Sequence, residues 1–139
     1  MSAVDTVESY LAGLPGGVRR VAHAEWGVTV AGEATGGEPL DVGLRIEGGL
    51  LTAKAAALGS AGDLDPWMLL WWNRQTRHVR FGCTRSQEIW VHADLPASAV
   101  DEGALDRLLG LVAEAALAVR DYARRLREPG AKESEWTPT

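Results

Sequence analysis

Apolar residues alternate with polar ones in five stretches of the chain, recur at helical spacing in two, and fill one short segment almost completely. The cleanest alternation is at residues 40–47, where Leu40, Val42, Leu44 and Ile46 are interleaved with Asp41, Gly43, Arg45 and Glu47. A period of two predicts a strand with one buried and one wet face. Gly48-Gly49 supplies the positive torsions of a tight hairpin, and the return strand, residues 50–57, carries Leu51, Ala53, Ala55 and Ala57 on one side. Such small side chains predict a bulky layer close above them, for which the tryptophan-rich segment is the candidate. An earlier strand is predicted at residues 24–31, with Trp26, Val28 and Val30 on one face, followed by a loop at residues 32–39. Two further strands, His78–Thr84 and Glu88–Leu95, flank the hairpin loop Arg85-Ser86-Gln87. They turn Val79, Phe81 and Cys83, then Ile89, Val91, Ala93 and Leu95, to one side.

Three helices complete the pattern. Ser2 can cap a first helix with Val4, Val7, Leu11 and Leu14 on one face, ended by Gly13, Pro15, Gly16 and Gly17. Asp65 caps a second helix of about three turns, with Pro66 at its first position and Leu64 and Leu69 at staple spacing. From Trp67 to Trp72 this helix is apolar nearly all round, so it is either enclosed in a core or covered by another chain. A core of this size cannot cover three tryptophans spread round one helix. Contact with a second copy is therefore predicted at Trp67, Leu70, Trp71 and Trp72. Asp101 caps the last helix, which runs to about Leu126 with a stripe of Leu105, Leu108, Leu109, Val112, Ala115, Ala116 and Val119. Acids at its start and Arg124, Arg125 and Arg127 at its end suit the helix dipole.

The order α-β-β-β-α-β-β-α predicts one α+β domain over residues 1–127: a single antiparallel sheet of about five strands with helices packed on it. Residues 128–139, polar apart from Trp136, are predicted to form a disordered tail.

Composition narrows the function more by exclusion than by assignment. With 139 residues there is room for one domain, and a net charge of −5 argues against general binding of polyanions. The longest wholly apolar run, Trp67 to Trp72, is far short of the about 20 residues a membrane span needs. No basic start followed by an apolar run marks a signal peptide. The lone Cys83 sits at an inward alternating position, which predicts a buried, reduced thiol and a cytoplasmic protein. His23, His78 and His92 have no metal-ligand spacing, although His78 and His92 could meet across their hairpin. Neither a nucleophile motif nor a phosphate-cradling loop is present. No catalytic residue, metal or cofactor is expected, and the chain reads as a non-enzyme.

One segment has a chemical bias. Arg74, Arg77, Arg80 and Arg85 accompany His78, with no acid between Asp65 and Glu88. Trp90 and His92 project from the adjoining strand on the same polar face as Arg80. Arginine beside an exposed aromatic anchors protein interfaces; it also grips single-stranded nucleic acid by charge and stacking. The plain alternative is an arginine stem resting on a tryptophan that shields the sheet. The acidic net charge favours protein over nucleic acid, making Arg80, Arg85, Trp90 and His92 the candidates for binding a client protein.

The second half also carries a resemblance. A capped helix ending Leu-Leu-Trp-Trp-Asn-Arg leads into Val-Arg-Phe, then Ile-Trp-Val-His-Ala-Asp-Leu-Pro, then Val-Asp-Glu-Gly-Ala-Leu-Asp-Arg-Leu-Leu. This succession resembles the YbjN-like family, whose fold is that of type III secretion chaperones. With the element order of the first half, the likeness extends over about residues 3–126; three tryptophans in the middle helix depart from it. The resemblance implies a small cytoplasmic bacterial homodimer, without catalysis, that holds an extended client segment through strand-edge and groove contacts. It leaves the client open among secreted, stress-linked regulatory and DNA-maintenance proteins. The alternative is weak binding of single-stranded nucleic acid by the Arg/Trp face of residues 74–92.

Overall fold

The computed structural model describes residues 2–128. Six strands form one antiparallel sheet in the order β1-β2-β3-β4-β6-β5. They are β1 Val18–Ala22, β2 Glu25–Val30, β3 Leu40–Glu47, β4 Leu50–Leu58, β5 Val79–Cys83 and β6 Ile89–Pro96. Helices α1 Ala3–Ala12, α2 Pro66–Asn73 and α3 Glu102–Leu126 cover one face. The α+β class and the single sheet are as predicted, with one strand more. The additional strand is β1, Val-Arg-Arg-Val-Ala, which has no alternation because four of its five residues are exposed. Backbone pairing to β2, not burial, holds it. The predicted tail lies outside the described residues, apart from Glu128.

Three strands, β2, β5 and β6, start one residue later than predicted, the first two for the same reason. Ala24 and His78 have φ of 59° and 69° and turn the chain, so β2 begins at Glu25 and β5 at Val79. Non-glycine residues seldom take this conformation, and here each reverses or redirects the backbone.

Packing of the layers corrects a further expectation. The alanines of β4 are covered by α3, not by the tryptophan-rich α2, which lies at β5. Ala53, Ala55 and Ala57 meet a helix whose buried face includes Val112, Ala115, Ala116 and Val119. Small residues on both sides let the helix approach the sheet closely. The β4–β6 register shifts between Ala56 and Leu58, and the Arg120 guanidinium of α3 donates to the Ala57 carbonyl at 2.9 Å. It also donates to the carbonyls of Thr35 at 2.8 Å and Glu38 at 2.7 Å, fastening the 35–39 loop to the helix. Thr35, fully buried, donates its hydroxyl to the Glu38 carbonyl at 2.6 Å.

Helix α1 begins with a reciprocal cap: Ser2 Oγ accepts from the Asp5 amide, and the Asp5 carboxylate accepts from the Ser2 amide. Its buried residues are Val7 and Leu11, and Tyr10 donates its hydroxyl to Asp106 of α3 at 3.1 Å. Burial, then the bond to Asp106 and the charges of Asp106 and Glu102, push the Tyr10 phenol up to about 12.

Candidate interaction surfaces

Asp65 caps α2 by accepting the Trp67 amide at 3.0 Å, and Pro66 occupies the first turn. From there the helix divides sharply. Leu69 and Trp72 face inward, and Trp72 is 0% exposed, edge-to-face with Phe81 (5.6 Å between centroids) and Tyr122 (5.4 Å). Trp72 thus belongs to this chain's own core and offers no area to a second copy, contrary to the grouping made from sequence. On the other side Trp67 is 76% exposed, Leu70 56% and Trp71 53%. These three, with exposed Arg74, stand at i, i+3, i+4 and i+7 and so share one stripe.

The end of α2 also closes an edge of the sheet. β5 is the outermost strand on its side. The Asn73 amide imitates a neighbouring strand there: Nδ2 donates to the Phe81 carbonyl at 3.1 Å, and Oδ1 accepts the Phe81 N–H at 2.8 Å. The Val79 carbonyl accepts from Thr76 Oγ1 at 2.8 Å and from Arg80 Nη1 at 2.7 Å. Strand addition at β5 is therefore blocked at Phe81 and at the Val79 carbonyl.

Three of the four client-binding candidates come together on the uncovered face of the sheet. Arg80 is paired with His92, and Trp90 with Gly82 on one side and Ala56 on the other. The Trp90 and His92 ring centroids are 6.4 Å apart, and Trp90 Nε1 donates to Glu88 at 3.3 Å. His92 also faces Lys54. Its imidazole is held below the usual histidine range by burial first and by Lys54 second, against a smaller opposing pull from Asp94. Arg85 lies apart, in the β5–β6 turn, and His78 is not paired with His92. Cys83, expected inside, is exposed. As the last residue of β5 it continues the inward alternation only in sequence. The described ion pairs include none of Arg74, Arg77, Arg80 and Arg85.

The opposite edge was not visible in the sequence pattern. The Gly17 carbonyl accepts from Thr29 of β2, so by antiparallel alternation the backbone groups of Val18 and Arg20 point outward. No described strand pairs there. Beside this edge lies an apolar groove of about 490 Å³, lined by residues including Leu14, Pro15, Val28, Val30, Pro39 and Leu109. Among the described residues no three His, Cys, Asp or Glu side chains converge as a metal site, and no helix is long and apolar enough to cross a membrane.

The antiparallel sheet with helices on one face is shared with solved type III secretion chaperones. The structure of the Yersinia pestis type III secretion chaperone SycH in complex with a stable fragment of YscM2 is similar at a TM-score of 0.66 and 15% identity, over 85% of this chain and 99% of that one. A chain of the HopA1–SchA chaperone–effector complex gives 0.64 at 14% identity, over 86% and 90%. A chain of the ExsC–ExsE complex gives 0.64 at 16%, over 95% and 100%. Within that fold the second half of the chain is YbjN-like: the model of this family, described as "Putative bacterial sensory transduction regulator", matches residues 67–125, from α2 almost to the end of α3. Among curated proteins none matches the chain.

Proposed function

We propose that this protein is a non-enzymatic, cytoplasmic, homodimeric adaptor that holds an extended segment of a client protein. The observation that carries the reading is the exposed stripe of Trp67, Leu70 and Trp71, on a fold whose similar solved structures include chaperones captured with partner proteins. Three large apolar side chains more than half exposed on one helix form a patch of the kind that marks an interaction site. Sedimentation equilibrium should give twice the 14.9 kDa chain mass; a monomer throughout the micromolar range would remove the dimer from the proposal.

The open edge of β1 supports the client half. An extended segment can add there as a seventh strand and seat alternate apolar side chains in the adjoining groove. Replacing Arg20 by proline removes an outward N–H from an edge position, where proline is tolerated. Client captured from the native cell by the wild-type protein should be lost with this variant at an unchanged unfolding midpoint. Equal capture by both would sink the edge assignment. The Arg80–Trp90–His92 corner, with Arg85, is a second client contact. Because the arginines of residues 74–85 stand outside the described ion pairs, the same corner supports a second reading, single-stranded nucleic acid. That reading demands salt-sensitive oligonucleotide binding that weakens in Arg80→Ala and Trp90→Ala. The client is drawn from secreted, stress-regulatory or DNA-maintenance proteins.

A further inference from the structure

Beyond the end of α3 the chain carries one large apolar side chain, Trp136, in the run Glu133-Ser134-Glu135-Trp136. The apolar groove of about 490 Å³, walled by Leu14, Val28, Val30, Pro39 and Leu109, has no side chain of the described residues filling it. Its border is the edge of β1, where no described strand pairs. We infer that residues 133–136 lie extended along β1 of the same molecule and seat Trp136 in that groove. The segment thereby holds the place proposed above for a client, which must displace it to bind.

Reach permits this contact. Arg120 of α3 donates to the Pro39 carbonyl at 3.3 Å, so the helix passes the wall of the groove seven residues before its cap at Arg127, about 10 Å along the axis. The nine residues from there to Trp136 extend up to about 30 Å. Side-chain alternation fits as well. In an extended segment Ser134 and Trp136 face one way, Glu133 and Glu135 the other. Val28 belongs to the core and Val30 packs against it, so the groove opens on the helix side of the sheet. Arg19 is on the opposite side, about half exposed, its guanidinium lying over Gly27 and donating to Thr29 at 3.2 Å. Turning Trp136 into the groove therefore brings both glutamates to the face that carries Arg19. The outward backbone groups of Val18 and Arg20 supply the hydrogen bonds of an added strand. The groove has the size of pockets that take small organic groups, and covering one indole removes about 150–250 Å² from water. A segment tethered by a short linker acts at an effective concentration of about 1 mM, so a weak contact suffices to keep it in place.

Methyl NMR spectra of the full chain test the contact. Trp136→Ala should move the resonances of Leu14, Val28, Val30 and Leu109, which lose an adjoining ring, and leave those of buried Leu51 and Val91 in place. The Val18 and Arg20 amides should exchange about tenfold faster in the variant, having lost a neighbouring strand. Unmoved groove methyls overturn the inference. A synthetic peptide of residues 131–139 should shift the same methyls of the Trp136→Ala protein, whereas the wild type, its groove already filled from within, should need about tenfold more peptide. Equal titration of the two overturns self-occupancy. Isotope-labelled Trp136→Ala chain, re-equilibrated with unlabelled wild type, should keep its shifted positions. Recovery of the wild-type positions would put the segment on a second copy and overturn the same-molecule assignment. Client capture is a separate readout: its failure leaves these resonances as they are, and unmoved resonances leave the client reading standing.

Discussion

Replacing Asn73 by alanine deletes the amide that seals β5 and nothing else of size. The two hydrogen bonds to Phe81, at 3.1 and 2.8 Å, are both part-buried. Each neutral bond contributes about 1 kcal/mol net. Their loss leaves a half-buried N–H and C=O, which water can partly reclaim at an outer strand. Alanine recovers about 0.5 kcal/mol, because asparagine is the poorer helix former at this last helical position. The net loss is therefore about 1.5–2 kcal/mol, or a melting temperature lower by roughly 5 °C for a chain of this length. Urea unfolding at fixed protein concentration measures it, since self-association would otherwise shift the midpoint. Amide exchange at Phe81 supplies the local readout: its N–H loses its acceptor and should exchange well before the β6 amides. A variant within 0.5 kcal/mol of wild type, with Phe81 still protected, would refute the view that Asn73 stands in for a missing strand.

Inward-facing Trp72 and outward-facing Trp71 of α2 should behave oppositely. Trp72→Ala removes a fully buried indole and should cost about 3–5 kcal/mol of stability, whereas Trp71→Glu should dissociate the dimer into a monomer that still unfolds cooperatively, its midpoint lowered only by the lost self-association; analytical sedimentation beside thermal unfolding separates the outcomes. Arg120→Ala strips donors from the Ala57, Thr35 and Glu38 carbonyls and should lower stability by about 2–4 kcal/mol, with limited proteolysis appearing at the 35–39 loop. For Tyr10 the folded phenol titrates at about 12, above the ordinary 10.0. Its contribution is complete below pH 10 and falls away as pH rises through 12; ultraviolet titration should show late ionisation, and Tyr10→Phe should lose the alkaline component of the stability curve.

Sequence reading recovered the elements that bury one face and missed those held by other means. Residues 40–47 and the α3 stripe are legible because a single face carries the burial, and alternation or helical period records it directly. β1 is not legible: Val18–Ala22 is held by its neighbour's backbone, which leaves no trace in side-chain hydrophobicity. Exposure of Trp67, Leu70 and Trp71 and burial of Trp72 are not separable in sequence, because hydrophobicity cannot distinguish the two faces of a helix that is apolar all round. Only the place of α2 beside Phe81 and Tyr122 does so. Cys83 shows the limit of alternation at a strand's last residue. The role of Asn73 is not legible in the sequence, since it depends on a strand eight residues further along coming back to lie beside it.

That single amide also sets a rule for assembly. Stacking sheets end to end into a fibre requires two receptive borders on every subunit, and here one of them is occupied by the molecule itself. Among the described strands, the flank along β1 is the one left without such a plug. Edge-to-edge growth through β5 is thereby terminated from within.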